Sequence, residues 1–212
     1  MAITGTELPP VFFDDETLAD NYQLEVYQFA KEICEDLHLD AVCDIGCGSG
    51  YKLMHYFSDP KTVGIDVPEA CTKLRRRWPQ RVWLESVDDS FAQCQPTWPV
   101  DIVIAADVIE HLLDPNALMS FVAQLSPRKI ILSTPDRNLP RLGTHNGPPN
   151  NPAHIREWSF VEFEAYVSSW FKVEEHFISC ASQATNALYV YREVETHSMR
   201  ADFRTHECSQ SA

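Results

Sequence analysis

Residues 41–50, Ala41-Val42-Cys43-Asp44-Ile45-Gly46-Cys47-Gly48-Ser49-Gly50, run from an apolar stretch into a turn with three glycines at alternate positions. The apolar half reads as a buried strand. Glycines in such a turn permit positive φ and let a ligand approach the main chain closely. A dinucleotide fingerprint would carry its third glycine at position 51, which is Tyr51 here, so the loop does not match one built to seat a pyrophosphate at a helix N-terminus. Downstream, Thr62-Val63-Gly64-Ile65-Asp66 reads as a second strand that ends in an acid. Open α/β folds bind ligands at the carboxyl edge of the sheet, and a carboxylate placed there can accept both hydroxyls of a ribose.

Outward from this pair of strands the pattern alternates. Residues 16–38 place Leu18, Tyr22, Val26, Phe29 and Ile33 at spacings of three and four, an amphipathic helix that should lie on the sheet or cap the pocket. Strands are expected near 40–45, 61–66, 82–86, 101–106, 129–134, 172–180 and 186–193. Helices are expected at 50–58, 68–77, 107–124 with a break at Pro115, and 159–170. Strands separated by helices imply a parallel sheet with crossovers on both faces. The chain is long enough for one sizeable core, which suggests a single domain over 1–194, with 1–38 as an N-terminal helical cap and 195–212 as a polar tail. Residues 135–158, rich in Pro, Gly and Asn, form a long loop of the kind that more often serves as a functional lid than as spare chain.

The D-x-G-x-G-x-G run from Asp44 to Gly50, followed by the strand-ending Asp66, resembles the signature of class I, seven-stranded S-adenosylmethionine-dependent methyltransferases. The resemblance implies a Rossmann-like, doubly wound, mostly parallel seven-stranded sheet with helices on both faces, and S-adenosyl-L-methionine as cofactor. On that pattern Asp44 precedes the loop, Gly46, Gly48 and Gly50 border the methionine part of the cofactor, Asp66 holds the ribose, and Asp88 or Asp89 lies beside the adenine.

The strand at 101–106 opens into Asp107-Val108-Ile109-Glu110-His111-Leu112. A helix starting at Asp107 would bring Asp107, Glu110 and His111 to one face at i, i+3 and i+4. Two carboxylates and an imidazole suit Mg²⁺ or Mn²⁺. The acid-x-x-Glu-His pattern resembles the divalent-metal motif of ubiquinone-pathway O-methyltransferases and of small-RNA 3′-terminal 2′-O-methyltransferases, which carry Glu where this chain has Asp107. His154 or His145, from the long loop, would complete the shell. Related methyltransferases carry a similar Glu-His-Leu segment without metal, where it packs the helix, so both readings stand. In a metal-free site His111, His145 or His154 would serve as base.

The loop run Gly147 to Trp158 is rich in groups that bind hydroxyls or anions, and Arg137, His145, His154, Arg156 and Trp158 are its candidates. Its GPP…NP-x-H-x-REW phrase resembles loops of bacterial methyltransferases that accompany glycan or glycoside pathways. Glu157 reads more simply as a surface partner of Arg156, and Trp158 as a seal on the next helix. Arg75, Arg76 and Arg77 read as a solvated helix end, and Trp78, Trp83 and Trp98 as packing or rim residues.

A formal net charge of −14 disfavours nucleic acid and anionic lipid as partners. Neither a signal peptide nor an apolar run of bilayer length is visible, so a cytoplasmic protein is expected. Seven cysteines without a C-x-x-C pair argue against a disulfide framework and a zinc knuckle; most should be reduced and buried. The expected activity is methyl transfer to a hydroxyl of a small molecule, a sugar or other polyol, with the oligomeric state, monomer or homodimer, left open. Two alternatives remain at this stage: 2′-O-methylation of an RNA 3′ end, and a non-catalytic cofactor-binding partner subunit.

Overall fold

Strand β1 (Val42–Ile45) is buried along its whole length, as a parallel strand covered on both faces must be. It pairs in parallel with β2 (Thr62–Asp66) on one side and β4 (Ile102–Ala106) on the other. Beyond these lie β3 (Val82–Glu85) and β5 (Lys129–Pro135), also parallel. An antiparallel pair, β7 (Thr185–Tyr191) and β6 (Lys172–Cys180), extends the sheet past β5, for an order of β3-β2-β1-β4-β5-β7-β6. The computed structural model describes residues 22–57, 61–88, 91–139, 148–180 and 185–191. The mostly parallel α/β architecture expected from the alternating pattern is borne out. The order reverses between β1 and β4, which puts a ligand crevice at the carboxyl ends of those two strands.

Because successive strand residues point to opposite faces, the sheet separates two apolar clusters. Cys43, Ile45, Val103, Ile130 and Leu132 face one cluster, covered by α4 (Pro115–Leu125) and α5 (Phe160–Ser168) through Leu118, Phe121 and Phe163. Val42, Ile102, Ile104 and Ile131 face the other, covered by α1 (Leu24–Leu37), α2 (Tyr51–Tyr56) and α3 (Pro68–Arg77) through Val26, Leu53 and Leu74. Local chemistry sets the helix boundaries. Pro115 opens α4 behind Asp114, whose side chain accepts from the Asn116 N–H. Ser159 and Glu162 form a capping box on α5.

Two helix starts differ by more than one residue from the sequence expectation. The N-terminal helix begins at Leu24, because Gln23 adopts a left-handed conformation at φ 59°; the expected stretch 16–21 lies outside the described residues. No helix starts at Asp107. That residue takes φ 54°, a short 3-10 turn covers Ile109–His111, and Leu112 is extended, so the α-helix waits for Pro115.

The described cysteines are free, and Cys34, Cys43, Cys47, Cys71 and Cys94 are buried. Among the described residues no helix is long and apolar enough to cross a membrane.

Gly64 in β2 shows how closely this face is packed. A Cβ there would lie 2.4 and 2.5 Å from the Trp83 ring and 2.7 Å from Cys47 Sγ. The indole has little room to yield, since it is buried and its Nε1–H donates to the Trp78 carbonyl at 3.0 Å. Gly64→Ala is expected to destabilise the protein by about 1–3 kcal/mol through overpacking, read as a lower urea midpoint at unchanged slope.

Candidate active site

The glycine loop follows β1 directly, and all three of its glycines have positive φ. At Gly46 the requirement is double: φ is 71°, and a Cβ would lie 2.3 Å from Val108 Cγ2. The loop is tied to β2 through Asp66. The Gly48 N–H donates to Asp66 Oδ2 at 2.7 Å, and the Val67 N–H donates to Oδ1 at 2.8 Å. Asp66 is half-buried at the strand end, and a carboxylate is an acceptor-only group suited to hydroxyl donors. This glycine cradle beside a fixed acid fits the methionine and ribose portions of S-adenosylmethionine.

Asp44 lies beneath the loop with no exposed surface. The Tyr27 hydroxyl, from α1, donates to its carboxylate, 2.9 Å from each oxygen. Burial pushes the Asp44 carboxyl up to about 7, against the opposing pull of the Tyr27 bond and of Lys52. Burial and the neighbouring Asp44 raise the Tyr27 hydroxyl well above its ordinary value, so it remains a donor. Tyr27 was not legible as a site residue, because its partner is on a strand remote in sequence.

At the end of β4, the Asp107 carboxylate accepts from the Ser133 hydroxyl at 2.7 Å and from Gln23 Nε2 at 3.0 Å. Its main-chain N–H donates to the Ser133 carbonyl and hydroxyl, both at 3.1 Å. These bonds hold the left-handed turn and remove the helical geometry that would have brought Asp107, Glu110 and His111 to one face. Burial raises the Asp107 carboxyl above its ordinary value.

A different trio converges instead. One ligand atom each from Glu110, His111 and His154 lie within 4.8 Å of one another. Glu110 is fully buried; its Oε2 accepts from the Thr134 hydroxyl at 3.2 Å, while Oε1 has no hydrogen-bond partner among the described residues. That oxygen lies 3.9 Å from His111 Nε2. Burial, with Asp107 nearby, lifts the Glu110 carboxyl well above its usual range. His111 donates from Nδ1 to the Ala153 carbonyl at 2.9 Å, so Nε2 carries the lone pair. Burial, followed by the proximity of His154, depresses His111 to about 4. The His154 ring stands edge-on to that of His111, with centroids 4.9 Å apart. The loop segment carrying His154 is fastened at its main chain, where the Ile155 N–H donates to the Glu110 carbonyl at 2.8 Å. An orphaned buried carboxylate oxygen facing two imidazoles fits a divalent cation.

The other candidates are dispersed. Asp88 is exposed and its carbonyl accepts from the Ser86 hydroxyl at 2.7 Å; Asp89 and His145 lie outside the described residues. Arg137 pairs with Glu162 at 2.6 Å. Arg156 donates to the Leu113 carbonyl at 2.7 Å and does not form the expected surface pair with Glu157, which is buried and sits 2.5 Å from His154 Nδ1. Trp158 packs on Phe163 and Tyr166 of α5, the sealing role expected of it.

A sequence-family model described as a methyltransferase domain matches residues 17–175. The chain belongs to the methyltransferase domain family. No curated protein sequence matches it. Among solved structures, the methyltransferase domain of bacterial CtHen1 is 20% identical, over 81% of this chain and 100% of that one, with a TM-score of 0.60. Magnesium protoporphyrin IX methyltransferase (ChlM) from Synechocystis PCC 6803, with bound SAH, is 19% identical over 87% of this chain and 89% of that one, at a TM-score of 0.63. An S-adenosylmethionine-dependent methyltransferase from Clostridium acetobutylicum ATCC 824 is 13% identical over 84% and 95% respectively, at a TM-score of 0.63. At these identities the likeness is one of fold, that of the class I, Rossmann-like methyltransferases.

The buried state of Asp44 makes this methyltransferase domain's stability depend on pH. With a native value near 7 against 3.8 for an ordinary Asp, the folded protein binds more protons than the unfolded chain between those values. Its contribution is therefore fully present below about 3.8 and is lost as pH rises through about 7. Asp44→Asn, which can still accept from Tyr27, is expected to gain stability relative to wild type as pH rises across that window, measured by denaturant unfolding at several pH values.

Proposed function

We propose that the protein transfers a methyl group from S-adenosylmethionine to a hydroxyl of a small polyhydroxylated acceptor, a sugar or glycoside, with a divalent cation held by Glu110, His111 and His154. The observation that carries this reading is the buried Glu110 Oε1, without a hydrogen-bond partner among the described residues and beside two imidazoles, at the end of the strand that neighbours the glycine loop. Two imidazoles in the donor set favour Mn²⁺ over the more oxygen-seeking Mg²⁺. Asp107 is left out of the ligand set, since the ligand atoms that converge are those of Glu110, His111 and His154.

In this reading the main chain at Gly46, Gly48 and Gly50 seats the methionine end of the cofactor, Asp66 accepts from the ribose hydroxyls, and Asp44 supports the loop from below. Bound S-adenosylmethionine supplies an electrophilic methyl group on a sulfonium. The residues' task is alignment, holding the acceptor oxygen in line with that methyl, together with removal of the hydroxyl proton. A cation in the cluster would lower the hydroxyl's pKa as a Lewis acid. Without one, His111, depressed to about 4, is a weak base at neutral pH, and His154 is the imidazole left for the proton.

A second reading, methylation of the 2′-hydroxyl at an RNA 3′ end, draws support from the likeness to the CtHen1 methyltransferase domain and from the same donor cluster. The net charge of −14 opposes it. Both acceptors present neighbouring hydroxyls, so one panel separates them.

Calorimetric titration with S-adenosylhomocysteine is expected to give micromolar binding, weakened by about 10–100-fold in Asp66→Ala through loss of charge-assisted hydrogen bonds. No binding to wild type would sink the methyltransferase reading. With labelled S-adenosylmethionine, glycosides bearing neighbouring hydroxyls should be methylated in preference to a short RNA with a free 3′ end, and Mn²⁺ should stimulate wild type but not His111→Ala. Transfer to the RNA alone would select the second reading, and equal activity in chelator would remove the cation.

A further inference from the structure

Glu157 belongs to neither the cofactor set nor the cation set, yet its side chain has no exposed surface. An acid in that position must be repaid by a specific partner, and its Oε1 lies 2.5 Å from His154 Nδ1. The segment that carries both residues is anchored at each end. The Ile155 N–H holds the Glu110 carbonyl, and the Trp158 carbonyl accepts from the Arg137 N–H at 3.0 Å. The pair is therefore part of a fixed turn and not a contact between two mobile side chains.

The hydrogen bonds on the two sides of the His154 ring require the same tautomer. A carboxylate accepts, so Nδ1 carries the hydrogen. On the far side, Asn151 Nδ2 lies 2.9 Å from Nε2, and the Asn151 amide is oriented independently because its Oδ1 accepts the Ala153 N–H at 3.0 Å. With an NH₂ group facing it, Nε2 must present its lone pair. The opposite tautomer would set a nitrogen lone pair against a carboxylate and an N–H against an NH₂. His111 is set the same way by the Ala153 carbonyl, so in both imidazoles Nε2 is the unprotonated nitrogen; that of His111 lies 3.9 Å from Glu110 Oε1 and that of His154 accepts from Asn151.

We infer that Glu157 is a positioning residue, which locks His154 with Nδ1–H toward itself and so makes Nε2, now accepting from Asn151, the nitrogen that a cation beside Glu110 and His111 would take. The inference rests on the proposed reading of that point as a cation site and supplies its outer support. A carboxylate behind a ligating imidazole fixes the ring and raises its basicity, and losing such a partner costs about 10–100-fold in metal affinity.

Two measurements test it on the full chain. Proton NMR of the cation-free protein should show a far-downfield Nδ1–H resonance that disappears in Glu157→Gln and in His154→Ala. Mn²⁺ titration followed by electron paramagnetic resonance should show affinity about 10–100-fold weaker in Glu157→Gln, with no further loss when Glu157→Gln is added to His154→Ala. The Gln variant keeps the shape of the side chain, and circular dichroism and thermal unfolding establish that it folds. Wild-type Mn²⁺ affinity in a folded Glu157→Gln, or the absence of the downfield resonance from wild type, would overturn the positioning role. The resonance needs no cation, so a wild-type protein that shows it while binding no Mn²⁺ would overturn the cation reading and leave the lock on His154 standing.

Discussion

The bond from the Gly48 N–H to Asp66 Oδ2 carries the tie between β1 and β2 past the last main-chain bond between them and into the glycine loop. β1 and β2 are paired along their length, and the Gly46 and Cys47 N–H groups still reach the Ile65 carbonyl at 2.8 and 3.4 Å, but from Gly48 onward the main chain must find other partners. Asp66 supplies one of them, and in doing so the loop fixes the carboxylate's orientation. The shape of the loop and the direction of the acid are thus one property. The same economy holds at the next strand over, where Ser133 of β5 satisfies both the main chain and the side chain of Asp107.

These arrangements gather acids where the sheet can least solvate them. Asp44, Asp107 and Glu110 are each held above their ordinary pKa by burial. Each raised value means that ionising the group in the folded protein costs free energy that the unfolded chain does not spend. A hydrophobic replacement at such sites often stabilises a fold. Their retention at the carboxyl edge is what a binding site looks like when stability and function pull in opposite directions.

How much of this was legible follows from the range of the interactions. The glycine loop and Asp66 could be read because turn chemistry and strand endings are local, and the elements flanking them fall within two residues of their expected bounds. The cluster was legible in part: Glu110, His111 and His154 meet, but by a 3-10 turn and a fastened loop and not along a helix face. Asp107 could not be read correctly, because a left-handed turn at a residue other than glycine is imposed by Ser133, twenty-six positions away. Glu157 was misread for a related reason. Three residues from a histidine in a polar, proline-rich stretch, nothing marks a glutamate as buried until the fold closes over it.

The attachment of the His154 segment to the Glu110 carbonyl bears on how such a site diversifies. The spacing between the loop imidazole and the strand-end acid is set by a main-chain bond that any residue but proline can make at position 155, and the His111 ring is set by a main-chain carbonyl as well. Side chains around the cluster can therefore change identity without moving it. In a scaffold of this kind the side chains are free to vary while the main chain keeps the spacing of the cluster.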